Sequence, residues 1–233
     1  MRFTRSLTAA AVVVIVLSAA VAAAVAASSR STGSGAMSHP MSHSTMSMTS
    51  AAQTMPTASD LRVKLDNLFG EHAVLAMNAT NAGVTGSKSF PAAAKALDAN
   101  SVALSKAIAS VYGAKAGRTF LDGRFMWRAH IKFFVDYTVA VAKHDKAGRA
   151  RAVANLKRYT VTFGNFLAGA TGLPKAAVRN DLLGHVLELK GQLDAFAAGK
   201  YPKATVLYHN AYNHMFMTGD LVAGAIAKQK HLG

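Results

Sequence analysis

The chain of 233 residues contains no cysteine. This absence excludes disulfide bonds, thiolate metal sites, iron–sulfur clusters and the Cys-x-x-Cys-His motif that attaches haem covalently. A folded domain of this protein must therefore be stabilised by its own apolar core. The content of 51% apolar residues is sufficient to build one.

Acidic residues are scarce as well, with 11 Asp and Glu against 26 Lys and Arg and a formal net charge of +15. Glu71 and Glu188 are the two glutamates. A di-iron centre in a helical bundle uses a glutamate from each of two helices and a Glu-x-x-His motif from each of two others. Neither glutamate begins such a motif, so the sequence disfavours di-iron chemistry.

The motifs of common enzyme classes are also missing. The sequence has no Gly-x-Ser-x-Gly elbow, no glycine-rich phosphate loop and no His-Glu-x-x-His zinc motif. No group of residues combines a nucleophile, a base and an orienting group. The sequence therefore predicts a protein that is not an enzyme.

An apolar leader opens the chain. Arg2 and Arg5 precede an uncharged run over residues 6–29, a pattern typical of a signal peptide, and Ala24-Val25-Ala26 offers a cleavage site. The run is also about long enough to remain as a membrane anchor, with the arginines in the cytoplasm. Both alternatives assign residues 1–27 to the leader and predict export to the cell envelope or secretion.

A segment rich in methionine and histidine follows the leader. Residues 28–58 offer little that could form a core, which predicts a disordered tether before a helical domain over residues 59–230. The stretch Ala36 to Met55 carries five methionines, two histidines and no charged side chain. Thioether and imidazole groups suit copper, and methionine favours Cu(I).

Residues 37–55 resemble the Met/His-rich tails of extracytoplasmic copper-handling proteins; the helical domain is not assigned to any family. The resemblance implies copper binding by the donors of this segment. The candidate ligands are Met37, His39, Met41, His43, Met46 and Met48. The alternative is a flexible polar linker whose methionines have no role in metal binding.

From Ser59 onward the apolar residues recur at helical spacing, and strand patterns are absent. Proline and glycine separate six predicted helices, whose short connections favour antiparallel neighbours in an all-α fold. The predicted helices run from Ser59 to about Gly83, Pro91 to Gly113, Ala116 to Lys143, Ala147 to Ala170, Pro174 to about Gly199 and Pro202 to about Gln229.

An internal repeat relates these helices. Leu97–Gly113 aligns with Leu156–Gly172 at equal length, with matching apolar positions and the same terminal glycine. His72, His130 and His185 recur at intervals of 58 and 55 residues, in the middle of the first, third and fifth helices. The sequence therefore predicts three αα-hairpin repeats, forming either a six-helix bundle or two four-helix bundles that share the middle hairpin.

These three histidines lie on apolar stripes of their helices, as His72 does with Leu68 and Leu75. A single histidine in such a place is commonly a core residue, but burying three unpartnered imidazoles costs about 1–3 kcal/mol each. We therefore predict a shared polar or metal-binding centre of His72, His130 and His185. Duplication of one ancestral hairpin is the alternative explanation of their spacing.

The sixth helix supplies further candidate ligands. His214 precedes Met217 by three residues, and a His/Met pair can ligate copper or haem iron. His209 lies one turn earlier. The metal hypothesis thus includes His209, His214 and Met217. In the alternative, Met215 to Met217 fill the core and His209 forms a hydrogen bond across a helix interface.

The sequence as a whole predicts an exported protein that binds a metal ion, copper, for capture, buffering or handover to a membrane or secreted copper protein. Haem is a less favoured cofactor. The alternative is a structural or interaction protein of the envelope, whose basic bundle contacts anionic lipid or wall polymers without metal. Nucleic acid is disfavoured, because export is expected and the basic residues are not interleaved with aromatic ones.

Overall fold

The computed structural model describes residues 55–233, so the predicted leader and nearly all of the tether lie outside the described residues. The described part forms seven α-helices and no β-strand, which confirms the all-α prediction. The helices are α1 Ala58–Val84, α2 Phe90–Tyr112, α3 Ala114–Leu121, α4 Trp127–Ala142, α5 Lys146–Thr171, α6 Lys175–Ala197 and α7 Tyr201–Lys230. None of these helices is both long enough and apolar enough to cross a membrane.

The helix ends follow local capping chemistry. Thr57 is the N-cap of α1 in place of the predicted Ser59, because its Oγ1 accepts a hydrogen bond from the amide three residues later at 3.1 Å. Pro91 and Pro202 lie in the first turns of α2 and α7, where the missing N–H would have no helical partner. Gly172 ends α5 with a left-handed φ of 75°, which glycine adopts without strain.

The predicted third helix, Ala116 to Lys143, is wrong as a single helix. It consists of α3 and α4, which are separated by a non-helical link over residues 122–126. Asp122 is extended, and Gly123 has a φ of 150° that side chains disfavour. The Asp-Gly dipeptide is a turn signal that overrides the apolar pattern on either side. The described residues therefore contain seven helices rather than the six predicted.

Three helices meet around the centre of the bundle. α1, α4 and α6 contact one another in all three pairs. The other long helices pack between these neighbours: α5 contacts α4 and α6, α7 contacts α6 and α1, and α2 contacts α1 and α4. Because α1, α4 and α6 carry the three mid-helix histidines, this packing places the histidine-bearing helices side by side.

The helices α1 and α7 lie side by side and run antiparallel. The amide of Ala58 donates a hydrogen bond to the carbonyl of Gly233 at 2.8 Å, while Asp66 lies against Gly219 further along. A Cβ atom on Gly219 would lie only 2.9 Å from the Cα of Asp66. Glycine at this position therefore allows the two backbones to approach closely.

Candidate metal centre

Three histidines converge where the central helices meet. His72 of α1, His130 of α4 and His185 of α6 are 1%, 1% and 2% exposed. One nitrogen from each ring lies within 4.8 Å of a nitrogen from both other rings. The Nε2 atoms of His72 and His130 are 3.4 Å apart. The structure thus brings together the three histidines for which the sequence predicted a shared centre.

The distance between the Nε2 atoms of His72 and His130 is close to the distance between two imidazole nitrogens bound to one metal ion. A histidine nitrogen lies about 2.0–2.1 Å from a tetrahedrally coordinated zinc, so two such nitrogens are about 3.4 Å apart. His72 and His130 already have this spacing. One nitrogen of His185 lies within 4.8 Å of a nitrogen of both rings.

Burial keeps the three imidazoles neutral. Loss of solvation, together with the neighbouring His185, lowers the pKa of His130 to about 3. Burial also lowers the pKa values of His72 and His185 well below 6.5, assisted by the neighbouring imidazoles. A neutral imidazole has a free lone pair and is the form that binds a metal ion. An ion entering this centre would not compete with a second proton on any ring. In the His72–His130 hydrogen bond, however, one Nε2 carries the remaining proton, which would move to Nδ1 if both Nε2 atoms bound the ion.

Most of the ring nitrogens lack partners. The Nδ1 atoms of all three histidines and the Nε2 atom of His185 have no hydrogen bond within the described part of the chain. A buried polar atom left unpaired costs about 1–3 kcal/mol, and native cores contain few of them. The Nε2 atoms of His72 and His130 face each other at hydrogen-bond distance, so an ion bound to these two atoms and to one nitrogen of His185 would give a partner to one of the four unpaired atoms.

Aromatic side chains enclose the cluster. The ring centroid of Trp127 lies 4.8 Å from that of His72 and 4.7 Å from that of His130, and Tyr159 of α5 stacks on His130 at 4.5 Å. The indole Nε1 of Trp127 donates to Ser101 Oγ at 3.2 Å, which fixes the indole ring. Metal-bound histidines usually donate their second nitrogen to a carboxylate or carbonyl. Among the described residues, packing against Trp127 and Tyr159 orients the imidazole rings instead.

His214 is bound to two carboxylates and is not part of the three-histidine cluster. Its Nε2 lies 3.1 Å from Asp181 Oδ1 and its Nδ1 lies 2.9 Å from Glu188 Oε2. The hydrogen bond to Asp181, reinforced by Glu188, raises the pKa of His214 to about 9 despite partial burial. The ring is therefore cationic at pH 7 and both nitrogens are engaged. Its centroid lies 6.4 Å from that of His185, so His214 is a neighbour of the cluster.

The other predicted ligands of the last helix lie at the surface. Met217 is 68% exposed and His209 is exposed, so neither joins His214. Met215 is the buried methionine of α7, whereas Phe216 and Met217 are exposed, so the alternative in which Met215 to Met217 all fill the core is wrong. The tether ligands lie outside the described residues: Met37, His39, Met41, His43, Met46 and Met48.

Asp181 is a residue that sequence reasoning missed. It precedes His185 by four residues and Glu188 by seven, which places all three on one face of α6. That spacing was visible in the sequence, but the pairing of Asp181 with His214 on α7 was not. Thr218 of α7 also donates to Asp181 Oδ2, at 3.1 Å, so this carboxylate anchors α7 through two side chains.

No protein-family model, no curated protein and no solved structure matches the chain. The function must therefore be inferred from the chemistry of the centre itself.

Proposed function

We propose that this chain is an exported, non-enzymatic metal-binding protein that holds one copper ion between His72, His130 and His185. The observation that carries the proposal is the meeting of three buried, neutral imidazoles, each with one nitrogen within 4.8 Å of the other two, together with a His185 ring that has no hydrogen-bond partner in the described part of the chain. Imidazole is a suitable ligand for first-row transition metals, and Cu²⁺ binds most tightly among the divalent ions of that row. The centre would store the ion away from water.

The Met/His-rich tether is the proposed collector of copper for this centre. Thioether donors favour Cu(I), and flexible ligands exchange an ion readily because no rigid cage has to open. The proposed route runs from capture by the tether to storage in the bundle, or to handover to a membrane or secreted copper protein. The leader at residues 1–27 supplies the proposed location outside the cytoplasmic membrane.

We also propose that the domain arose from three copies of one αα-hairpin, namely α1–α2, α4–α5 and α6–α7. The first helix of each hairpin carries one of the three histidines, and these first helices contact one another. α2 and α5 end at Gly113 and Gly172, the equivalent positions of the aligned segments. In this interpretation α3 is an insertion before the second copy.

Copper binding by the full-length chain tests the function. The variant for this test replaces the four methionines of the tether ligand set with leucine and its two histidines with alanine. Copper bound by this variant then reports on the buried centre. This protein should bind one Cu(I) per chain under anaerobic, reducing conditions, measured by competition with a chromophoric chelator.

A pair of histidine variants separates the buried centre from incidental binding. His130→Leu replaces the buried imidazole with an apolar side chain, and it should abolish copper binding while the helical circular dichroism is retained. His209→Leu changes an exposed histidine and should leave one copper per chain. Equal copper content in the two variants would refute the three-histidine site.

A second candidate function is contact with anionic lipid or wall polymers, without metal. The net charge of +15 favours it, because Lys and Arg are attracted to anionic surfaces. Vesicles that contain anionic lipid should then bind the chain, and added salt should weaken the binding. In this case His130→Leu should bind the vesicles as well as the natural chain does.

A further inference from the structure

A small cavity lies beside the three histidines. Its volume is about 20 Å³, and both His72 and His130 line it. A cavity needs about 10–15 Å³ to accept one water molecule. This cavity therefore has room for a molecule of one or two non-hydrogen atoms next to the proposed copper position.

Apart from two imidazoles and two threonines, the walls of the cavity are apolar. They include Ala76, Phe134 and Leu189, and no charged side chain of the described residues lines them. Thr80 and Thr138 also line the cavity, but their hydroxyls donate to helix carbonyls at 2.9 and 2.8 Å. Neither hydroxyl proton is free to stabilise an anion inside.

We infer that copper held by the three histidines keeps an open coordination position toward this cavity, and that the position binds a small uncharged molecule such as a diatomic gas. This inference rests on the proposed function. Three protein ligands leave one position of a four-coordinate ion open, as in zinc sites that bind water or substrate. The apolar walls penalise an anion, which would lose its hydration without a compensating partner. The volume excludes larger molecules.

Carbon monoxide is the probe for this position, because it is uncharged, diatomic and a ligand of Cu(I). The protein to use is the full-length chain with the six tether donors replaced, loaded with Cu(I) without oxygen. We expect one carbon monoxide per copper. The infrared spectrum should show a single C–O stretching band, which shifts when ¹³CO is supplied.

Two alanine-to-valine substitutions test whether the ligand occupies the cavity. Ala76→Val adds two carbon atoms to the wall one turn after His72, and it should remove the carbonyl band while copper content stays at one per chain. Ala223→Val makes the same change at a buried position of α7 that does not line the cavity, and it should keep the band. Leu189→Ala enlarges the cavity and should also keep the band, which provides a second test if Ala76→Val fails to fold.

The outcomes separate the inference from the proposed function. Chains that hold one Cu(I) but show no carbonyl band would overturn the open position and leave the copper site standing. The same would follow if Ala76→Val bound carbon monoxide as well as Ala223→Val, or if Leu189→Ala lost the band while it kept copper. Chains that bind no copper at the centre would overturn both.

Discussion

Lowering the pH from 7 to 5 should destabilise the metal-free protein through its buried histidines. An imidazole in the unfolded chain has a pKa of about 6.5, whereas that of His130 in the folded protein is about 3. Between these values the unfolded chain binds more protons, so the free energy of unfolding decreases as the pH falls. At pH 5, which is 1.5 units below the unfolded value, the loss from His130 alone is about 2 kcal/mol.

The other groups around His130 act in the same direction or do not titrate in this range. Burial lowers the pKa values of His72 and His185, so each also favours the unfolded chain in acid. Burial raises the pKa of Tyr159, which stacks on His130, and this phenol stays neutral throughout. His214 acts in the opposite direction, because its pKa is raised to about 9 and its stabilisation becomes complete only below pH 6.5. This opposing contribution is the same in the natural chain and in His130→Leu, so the comparison of the two isolates His130.

Urea unfolding at pH 7 and pH 5, followed by circular dichroism in the presence of a metal chelator, measures this effect. The natural chain should lose at least about 2 kcal/mol more than His130→Leu between the two pH values. His209→Leu, which removes an exposed histidine, should lose as much as the natural chain. If His130→Leu and the natural chain lost equal stability, His130 could not be a buried neutral group, and the argument for a desolvated centre would be refuted.

Gly219→Ala should lower the free energy of unfolding in urea by about 1–3 kcal/mol, because its Cβ would lie 2.9 Å from the Cα of Asp66. Gly224→Ala, with open space around it on the same helix, should instead stabilise the protein by up to about 1 kcal/mol. The pKa of His214 is raised to about 9, so its stabilisation is complete below pH 6.5 and is lost as the pH rises through 9; His214→Gln should therefore lose less stability than the natural chain between pH 7 and pH 10. Copper at one hundred times its dissociation constant should raise the free energy of unfolding by about 2.7 kcal/mol in calorimetry, and His130→Leu should not respond.

The helical fold was predictable because the signals that specify it are local. Apolar spacing defines the helices, and Gly113 and Gly172, the terminal glycines of the two aligned segments, are the C-caps of α2 and α5. The link between α3 and α4 was missed because apolar residues continue on both sides of Asp122 and Gly123. In that stretch a two-residue turn preference competed with a long helical pattern, and the turn prevailed.

The three-histidine cluster could be anticipated from the recurrence of histidine along the chain, but the surroundings of His214 could not. Helical phase shows which residues share a face, and it does not show which faces of different helices meet. On α7 the consecutive residues Met215, Phe216 and Met217 are all apolar, yet only Met215 is buried. The packing of α7 against α1 and α6 determines which of the three is buried. These helix contacts join distant parts of the sequence.

The pairing of α1 with α7 has a consequence for biosynthesis. A ribosome delivers α7 after every other helix of the bundle, so α1 keeps one apolar flank uncovered until the domain is almost fully synthesised. During that interval a chaperone meets an incomplete bundle. Joining residues 58 and 233, which already share a hydrogen bond, and opening the chain between two other helices would give a circular permutant in which a different helix emerges last.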